Sequence, residues 1–248
     1  MWRPLLVVAV VALAGCSGLL ASGGASPPDG QAVTPAPVPE RTERPVALPR
    51  VAGDVAVDRV LERHDAALAG RSFHRHTEFA GPESTRDVWV DRDADVVRVQ
   101  RRFGPLADDA IVTNGTLYRS VSDDPRTDYA TLEATGTPYV ATRSGVATLD
   151  RLFGVVEGYD RVGTVRRDGR PLAVVASNDT EVPLSGADPD QTVAVESRFY
   201  VDRQGIVRYV DHWARRSDGS TVHVRMRITT GLDRVPIPWW AEGIGVYD

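Results

Sequence analysis

Lysine is absent from the 248 residues, cysteine occurs once, methionine twice, and aromatic residues make up only 7% of the chain. A single cysteine excludes an intramolecular disulfide and any cysteine-built metal cage, so its position carries its meaning. The net charge of -5 lacks the clustered basic excess of a nucleic-acid binder. The chain also contains no Gly-x-Ser-x-Gly elbow, phosphate loop, His-Glu-x-x-His pair or redox cysteine pair. The expectation is a non-enzyme: no catalytic residue, no metal, no cofactor and no nucleic-acid partner.

What is present begins with an address. Arg3 is followed by an apolar stretch from Leu5 to Ala14 and then by Gly15-Cys16. This pattern reads as a signal peptide over residues 1–15, because the apolar run falls short of the about 20 residues that span a bilayer. Residues 16–50 are rich in Gly, Ser, Ala and Pro, including Pro27, Pro28, Pro35, Pro37, Pro39, Pro45 and Pro49. Such a segment buries no core, and at about 3.1 Å per residue it forms a tether on the order of 100 Å long at full stretch. Residues 51–248 are left as a single folded domain. All 29 basic residues are arginine. Guanidinium binds carboxylates bidentately and is weakly hydrated, which suits ion pairs in salty surroundings, and codon bias alone explains the same counts.

In the folded part, Val57, Val60, Leu61 and Leu68 share one face of a helix expected from about Asp54 to Ala69, with His64 on the same stripe and Gly70 beyond its end. A second helix is expected from near Ser144 to Gly158, with Leu149, Leu152, Phe153 and Val156 at the spacing of a buried face. The rest reads as short strands broken by Asn114-Gly115, Asp168-Gly169 and Asp218-Gly219, pairs that accept the positive φ of two-residue hairpin turns. Centring a two-residue turn on Asp218-Gly219 pairs Trp213 with Val224, Asp211 with Met226 and Tyr209 with Ile228, and sets His212 opposite Arg225. A three-residue loop Arg203-Gln204-Gly205 pairs Val201 with Val207, Phe199 with Tyr209 and Val195 with Trp213. The register puts Val193, Val195, Phe199, Val201, Val207, Tyr209, Trp213, Val224, Met226 and Ile228 on one face. Glu196, Arg198, Arg208, His212, Arg225 and Arg227 take the other. An apolar sheet face has to be covered by a helix, a sheet or a ligand.

Leu13-Ala14-Gly15-Cys16 resembles the lipobox of secreted lipoproteins, which implies that Cys16 carries a double-chain lipid and holds the protein on the extracytoplasmic face of the cell membrane. Two chains anchor stably where one binds only marginally. With the Pro-rich tether, the helix running into Gly70-Arg71-Ser72-Phe73 and the closing Pro236-Ile237-Pro238-Trp239-Trp240, the chain resembles uncharacterised lipoproteins of halophilic archaea. It is similar in element order to the superfamily of LolA-like carriers and mycobacterial lipid-binding lipoproteins. That resemblance implies an α+β fold: a strongly curved antiparallel sheet, an incomplete barrel, with helices on or across its concave face and acyl chains bound there. The ligand-lining set is then Val195, Phe199, Tyr209, Trp213, Val224, Met226, Ile228, Leu149, Leu152 and Phe153. The alternative is a structural or protein-interaction lipoprotein whose sheet is filled by its own helices.

Five further features have two readings each. His74 and His76 share a strand face and offer two imidazoles to a metal, or are two exposed strand histidines. His212 and His223 form a pH-sensing pair or part of a solvated charge ladder. Asp211, on the apolar face in this register, orients a ligand head or sits at the sheet margin. Asn114 and Asn178 head acceptor sequons for glycosylation or chance tripeptides, and Trp239 and Trp240 touch a membrane interface or cap the barrel end.

Overall fold

The computed structural model describes residues 45–79, 84–122, 129–132, 144–153, 156, 158–182, 193–216 and 218–247. The leader, Cys16 and most of the tether lie outside them. Two short strands, β1 (Arg50–Val51) and β2 (Asp54–Val55), pair ahead of helix α1 (Val57–Ala69). A meander of six strands follows: β3 (Phe73–Phe79), β4 (Ser84–Asp91), β5 (Val96–Phe103), β6 (Leu106–Thr113), β7 (Thr116–Ser122) and β8 (Tyr129–Leu132). Helix α2 (Val146–Phe153) leads to a second meander, β9 (Asp160–Arg167), β10 (Arg170–Val182), β11 (Val193–Val201), β12 (Val207–Arg215) and β13 (Thr221–Thr230). A 3-10 helix, Trp239–Ile244, closes the chain.

Strands β3 to β13 form one antiparallel sheet in the order β8-β7-β6-β5-β4-β3-β13-β12-β11-β10-β9. The first and last strands of this sheet, β3 and β13, therefore meet at its middle, where Arg75 pairs with Ile228 and Thr77 with Met226. The sheet is open, with β8 and β9 at its edges, which makes the domain the incomplete curved-sheet α+β fold expected.

Alternation builds the inner face. Phe73, Val88, Val90, Val97, Val99, Val175, Val195, Phe199, Val201, Val210, Met226 and Ile228 are buried in one cluster with Val60, Leu61 and Leu68 of α1 and Leu149 and Phe153 of α2. At about 25 cal/mol per Å² of apolar area, this layer is the main source of stability. Phe153, Phe199 and Tyr159 interlock at its centre, with ring centroids 4.6 to 5.8 Å apart. The outer face of the first meander has its own cover. Val96 and Ile111 pack under Val235, Trp240, Ala241 and Val246 of the C-terminal segment. Trp240 is thus a packing residue on the outside of the sheet and Trp239 is exposed; neither caps a barrel end.

Three hairpins behave as read and one does not. Asn114-Gly115 and Asp168-Gly169 are two-residue turns with positive φ at both positions, and Gly205 is left-handed in the three-residue loop between Asp202 and Ile206. The turn at Asp218-Gly219, however, is closed by Arg216 N–H to Ser220 O, one residue wider than expected. The pairs become Tyr209 with Arg227, Val210 with Met226, Asp211 with Arg225, His212 with Val224 and Trp213 with His223. A bulge at Arg208 makes the matching shift against β11: Val201 still pairs with Val207, but Tyr200 pairs with Tyr209, Phe199 with Val210 and Val195 with Ala214. Because the side-chain period is two, each one-residue slip exchanges faces along β12.

Candidate functional site

The inner face is the surface that the sequence marks for a ligand, and its occupants differ in part from the expected set. Leu149, Phe153, Val195, Phe199, Val224, Met226 and Ile228 all point inward and are 0 to 4% exposed, and Leu152 packs against them partly buried. They are sealed against α1 and α2, which fill this half of the concavity. Tyr209 and Trp213 do not belong to the lining. The wider turn and the Arg208 bulge carry them to the outer face, where Tyr209 packs edge-on to Tyr200 and donates a hydrogen bond to Asp168, with Arg167 and Arg227 over its ring.

The same slip resolves Asp211. It stands outside, 2.6 Å from His223 Nε2, and His212, expected on the charged outer face, is instead inward, 2% exposed with Nδ1 3.1 Å from Ser197 Oγ. His212 and His223 therefore lie on opposite faces and form no joint sensor. Burial first, and His223 next, pull the His212 pKa down to about 4, so it is neutral at pH 7. Arg208 is also inside rather than exposed. At the bulge its Nε donates to Asp202 Oδ2 at 2.6 Å and its Nη1 to Thr230 Oγ1 at 3.1 Å, so the buried charge is compensated.

His64, on the buried stripe of α1, clamps three elements. Its Nδ1 accepts the Val207 N–H and its Nε2 lies 3.2 Å from Ser144 O, which sets the tautomer. Burial pushes its pKa to about 4 against the opposing pull of the Ser144 carbonyl.

Farther along the same face, beyond the helices, the lining changes character. Alternation from Val97 and Val99 brings Arg101 and Phe103 inward on β5. The facing positions are Asp108 and Leu106 on β6, Arg119 and Val121 on β7, and Arg86 on β4. Phe103, Leu106 and Val121 are 52%, 42% and 45% exposed. Arg119 holds Asp108 with two hydrogen bonds, of 2.8 and 3.1 Å, and Arg101 reaches it at 3.8 Å. Arg75, Arg86, Arg101 and Arg119 thus share this face with Asp108, a positive balance among its described side chains. Arg75 was not singled out from the sequence, although its place in the alternation Phe73, Arg75, Thr77 puts it inward.

His74 and His76 are on the outer face, half-buried rather than exposed. His74 Nε2 and His76 Nδ1 lie 2.7 and 2.8 Å from the same Asp87 oxygen. Burial raises the Asp87 pKa, but the two imidazoles outweigh it and hold the carboxyl below its usual value. His74 stacks on Trp89 at 4.8 Å, and Arg98 lies 4.8 Å from the same ring while bonding Asp109 bidentately. No group of three or more His, Cys, Asp or Glu side chains among the described residues could hold a metal ion. Asn114 is exposed at its turn, as a glycan acceptor requires; the side chain of Asn178 lies outside the described residues. Hollows of about 700 and 480 Å³ occur at the rim, among Arg71, Asp93, Arg170 and Asp202, and on the outer face, beside Tyr200 and Arg227. The walls of both are about equally polar and apolar.

By sequence, no family model and no curated protein matches the chain. Among solved structures it is similar to the lipoprotein LppX of Mycobacterium tuberculosis, at 12% identity and a TM-score of 0.41, over 73% of this chain and 99% of that one. It is also similar to LprF of Mycobacterium bovis, at 17% identity and a TM-score of 0.40, over 73% and 94%. A conserved protein of Thermus thermophilus matches at 11% identity and a TM-score of 0.35, over 73% and 94%.

Proposed function

We propose that the protein is a cell-envelope lipoprotein, tethered outside the cytoplasm through lipidated Cys16, that binds a hydrophobic chain along the part of its inner face the helices leave uncovered and performs no catalysis. The observation that carries this reading is the exposure of Phe103, Leu106 and Val121 on the same face that is buried a few positions away along β5, β6 and β7. Large apolar side chains grouped in a concavity mark a contact surface, and a chain laid along them gains about 25 cal/mol per Å² buried. The filled half acts as a wall that positions the cargo, and the residues nominated from sequence there support the site rather than line it.

The test is lipid uptake by the full chain, followed by native mass spectrometry and displacement of a fluorescent fatty acid. Wild type is expected to take up one or a few chains, and Val121→Asp to weaken uptake about tenfold, the equivalent of about 1.4 kcal/mol, with little change in melting temperature. A wild-type protein that stays empty with lipid in excess overturns the proposal. The second reading, a structural or interaction lipoprotein, draws on a specific observation as well: Leu149 and Phe153 are 0% and 1% exposed, so α2 plugs the concavity where it crosses it. An empty wild type that captures an envelope protein through the exposed strip supports that reading instead.

A further inference from the structure

Among the described residues, the inner face holds a buried guanidinium, that of Arg75, with no carboxylate bonded to it. Arg75 is 2% exposed, and its Nε and Nη1 have no hydrogen-bond partner among the described residues. Its neighbours across β4 and β13 are Val88 and Ile228, both buried and apolar. The guanidinium reaches instead to Gly145, whose φ of +86° places bare backbone against it immediately ahead of α2. A β-carbon at Gly145 would collide with Nη1.

This placement runs against ordinary electrostatics. The N-terminal end of a helix carries a partial positive charge and disfavours a cation. Arg86, on the next strand of the same face, adds another positive charge. By contrast, the buried Arg98 and Arg208 each have a carboxylate within 2.6 Å. A buried guanidinium left alone is costly, and an oxyanion there would satisfy Arg75 and the helix end together.

Resting on the carrier reading, we propose that Arg75, with the α2 N-terminus behind it, binds the oxyanion head of the ligand, a carboxylate or phosphate, so that the protein selects anionic amphiphiles. The head enters first and the tail runs out over β5 to β7 toward Phe103, Leu106 and Val121.

The experiment compares palmitate, hexadecanol and inorganic phosphate as probes on the full-length chain. Wild type is expected to bind palmitate at least tenfold more tightly than the uncharged alcohol. Arg75→Met should bring that ratio to within twofold while leaving hexadecanol binding unchanged, and Arg75→Lys should restore part of it. Without ligand, Arg75→Met should melt a few degrees higher than wild type, because an uncompensated charge has been removed. Gly145→Ala keeps the arginine but displaces its head, and should also lower the palmitate preference. Phosphate that raises the wild-type melting temperature but not that of Arg75→Met supports the oxyanion site. If palmitate and hexadecanol then bind equally or not at all, its occupant is a free anion. Equal binding of the two lipids with no phosphate effect overturns the oxyanion site while the carrier reading stands; binding of neither lipid overturns the carrier reading. A loss of stability in ligand-free Arg75→Met also overturns the proposal, since Arg75 would then be a packing residue.

Discussion

At the residue scale, the two inward histidines make stability depend on pH. His64 and His212 both have folded pKa values of about 4 against an ordinary 6.5. A histidine of this kind takes its proton more readily in the unfolded chain, so its contribution is complete above about pH 6.5 and drains away as pH falls toward about 4. Each shift corresponds to a loss on the order of 3 kcal/mol. His212→Phe should cost about 1 kcal/mol at pH 7.5, where the Ser197 hydroxyl loses its partner. At pH 4.5 the variant should be the more stable protein, because it has no proton to take up. Urea melts at the two pH values check the crossing, and parallel curves would deny His212 the role. Sequence reasoning placed His64 correctly, since it lay on a strong helical stripe. It failed at Asp211 and His212, where the choice of face depended on one residue of loop length.

At the element scale, the helices and two of the tight turns were legible because their signals are local, although α1 starts at Val57 and Asp54, expected near its start, pairs in β2 instead. The i, i+3, i+4 stripe of α1 and the left-handed pairs Asn114-Gly115 and Asp168-Gly169 need no distant partner to be recognised. The Arg208 bulge was not legible. It exists because Asp202, which already accepts the Gln204 and Ile206 N–H groups in its own loop, also takes the Arg208 guanidinium. An oddity visible in the sequence was a warning: a register that buried Asp211 and exposed His212 inverted the usual preference of the two side chains. Two glycines test the loop argument. Gly219 has φ +81°, so Gly219→Ala should destabilise by about 1 kcal/mol. Gly70, at the end of α1, has φ -107° and open space where a β-carbon would go, so Gly70→Ala should be neutral or gain about 0.5 kcal/mol. Thermal melts of the pair should move apart, and a harmless Gly219→Ala would mean that the loop sets no register.

For the molecule as a whole, the curved sheet with helices across it was implied by the resemblance, one-sided strands required only that the apolar face be covered, and the strand order followed from neither. Alternation along a strand says which side faces the core but not which strand is its neighbour. No helix among the described residues is long and apolar enough to span a membrane, so attachment in the proposed function rests on the lipobox. Cys16→Ser is expected to leave the leader uncleaved or the mature chain free of the membrane fraction, read by fractionation and intact mass. Equal retention of a variant and a wild type that both keep the leader would remove the anchor from the proposal.

The seam between β3 and β13 has a temporal consequence. Arg75 and Ile228 are neighbours in space but about 150 residues apart in sequence, so the two meanders remain separate halves until nearly the whole chain is available. While the nascent polypeptide waits, β3 offers an unsatisfied rim to any passing strand. Holding that half-built edge out of trouble is a task for a chaperone, and a truncation before Thr221 would make the vulnerability permanent.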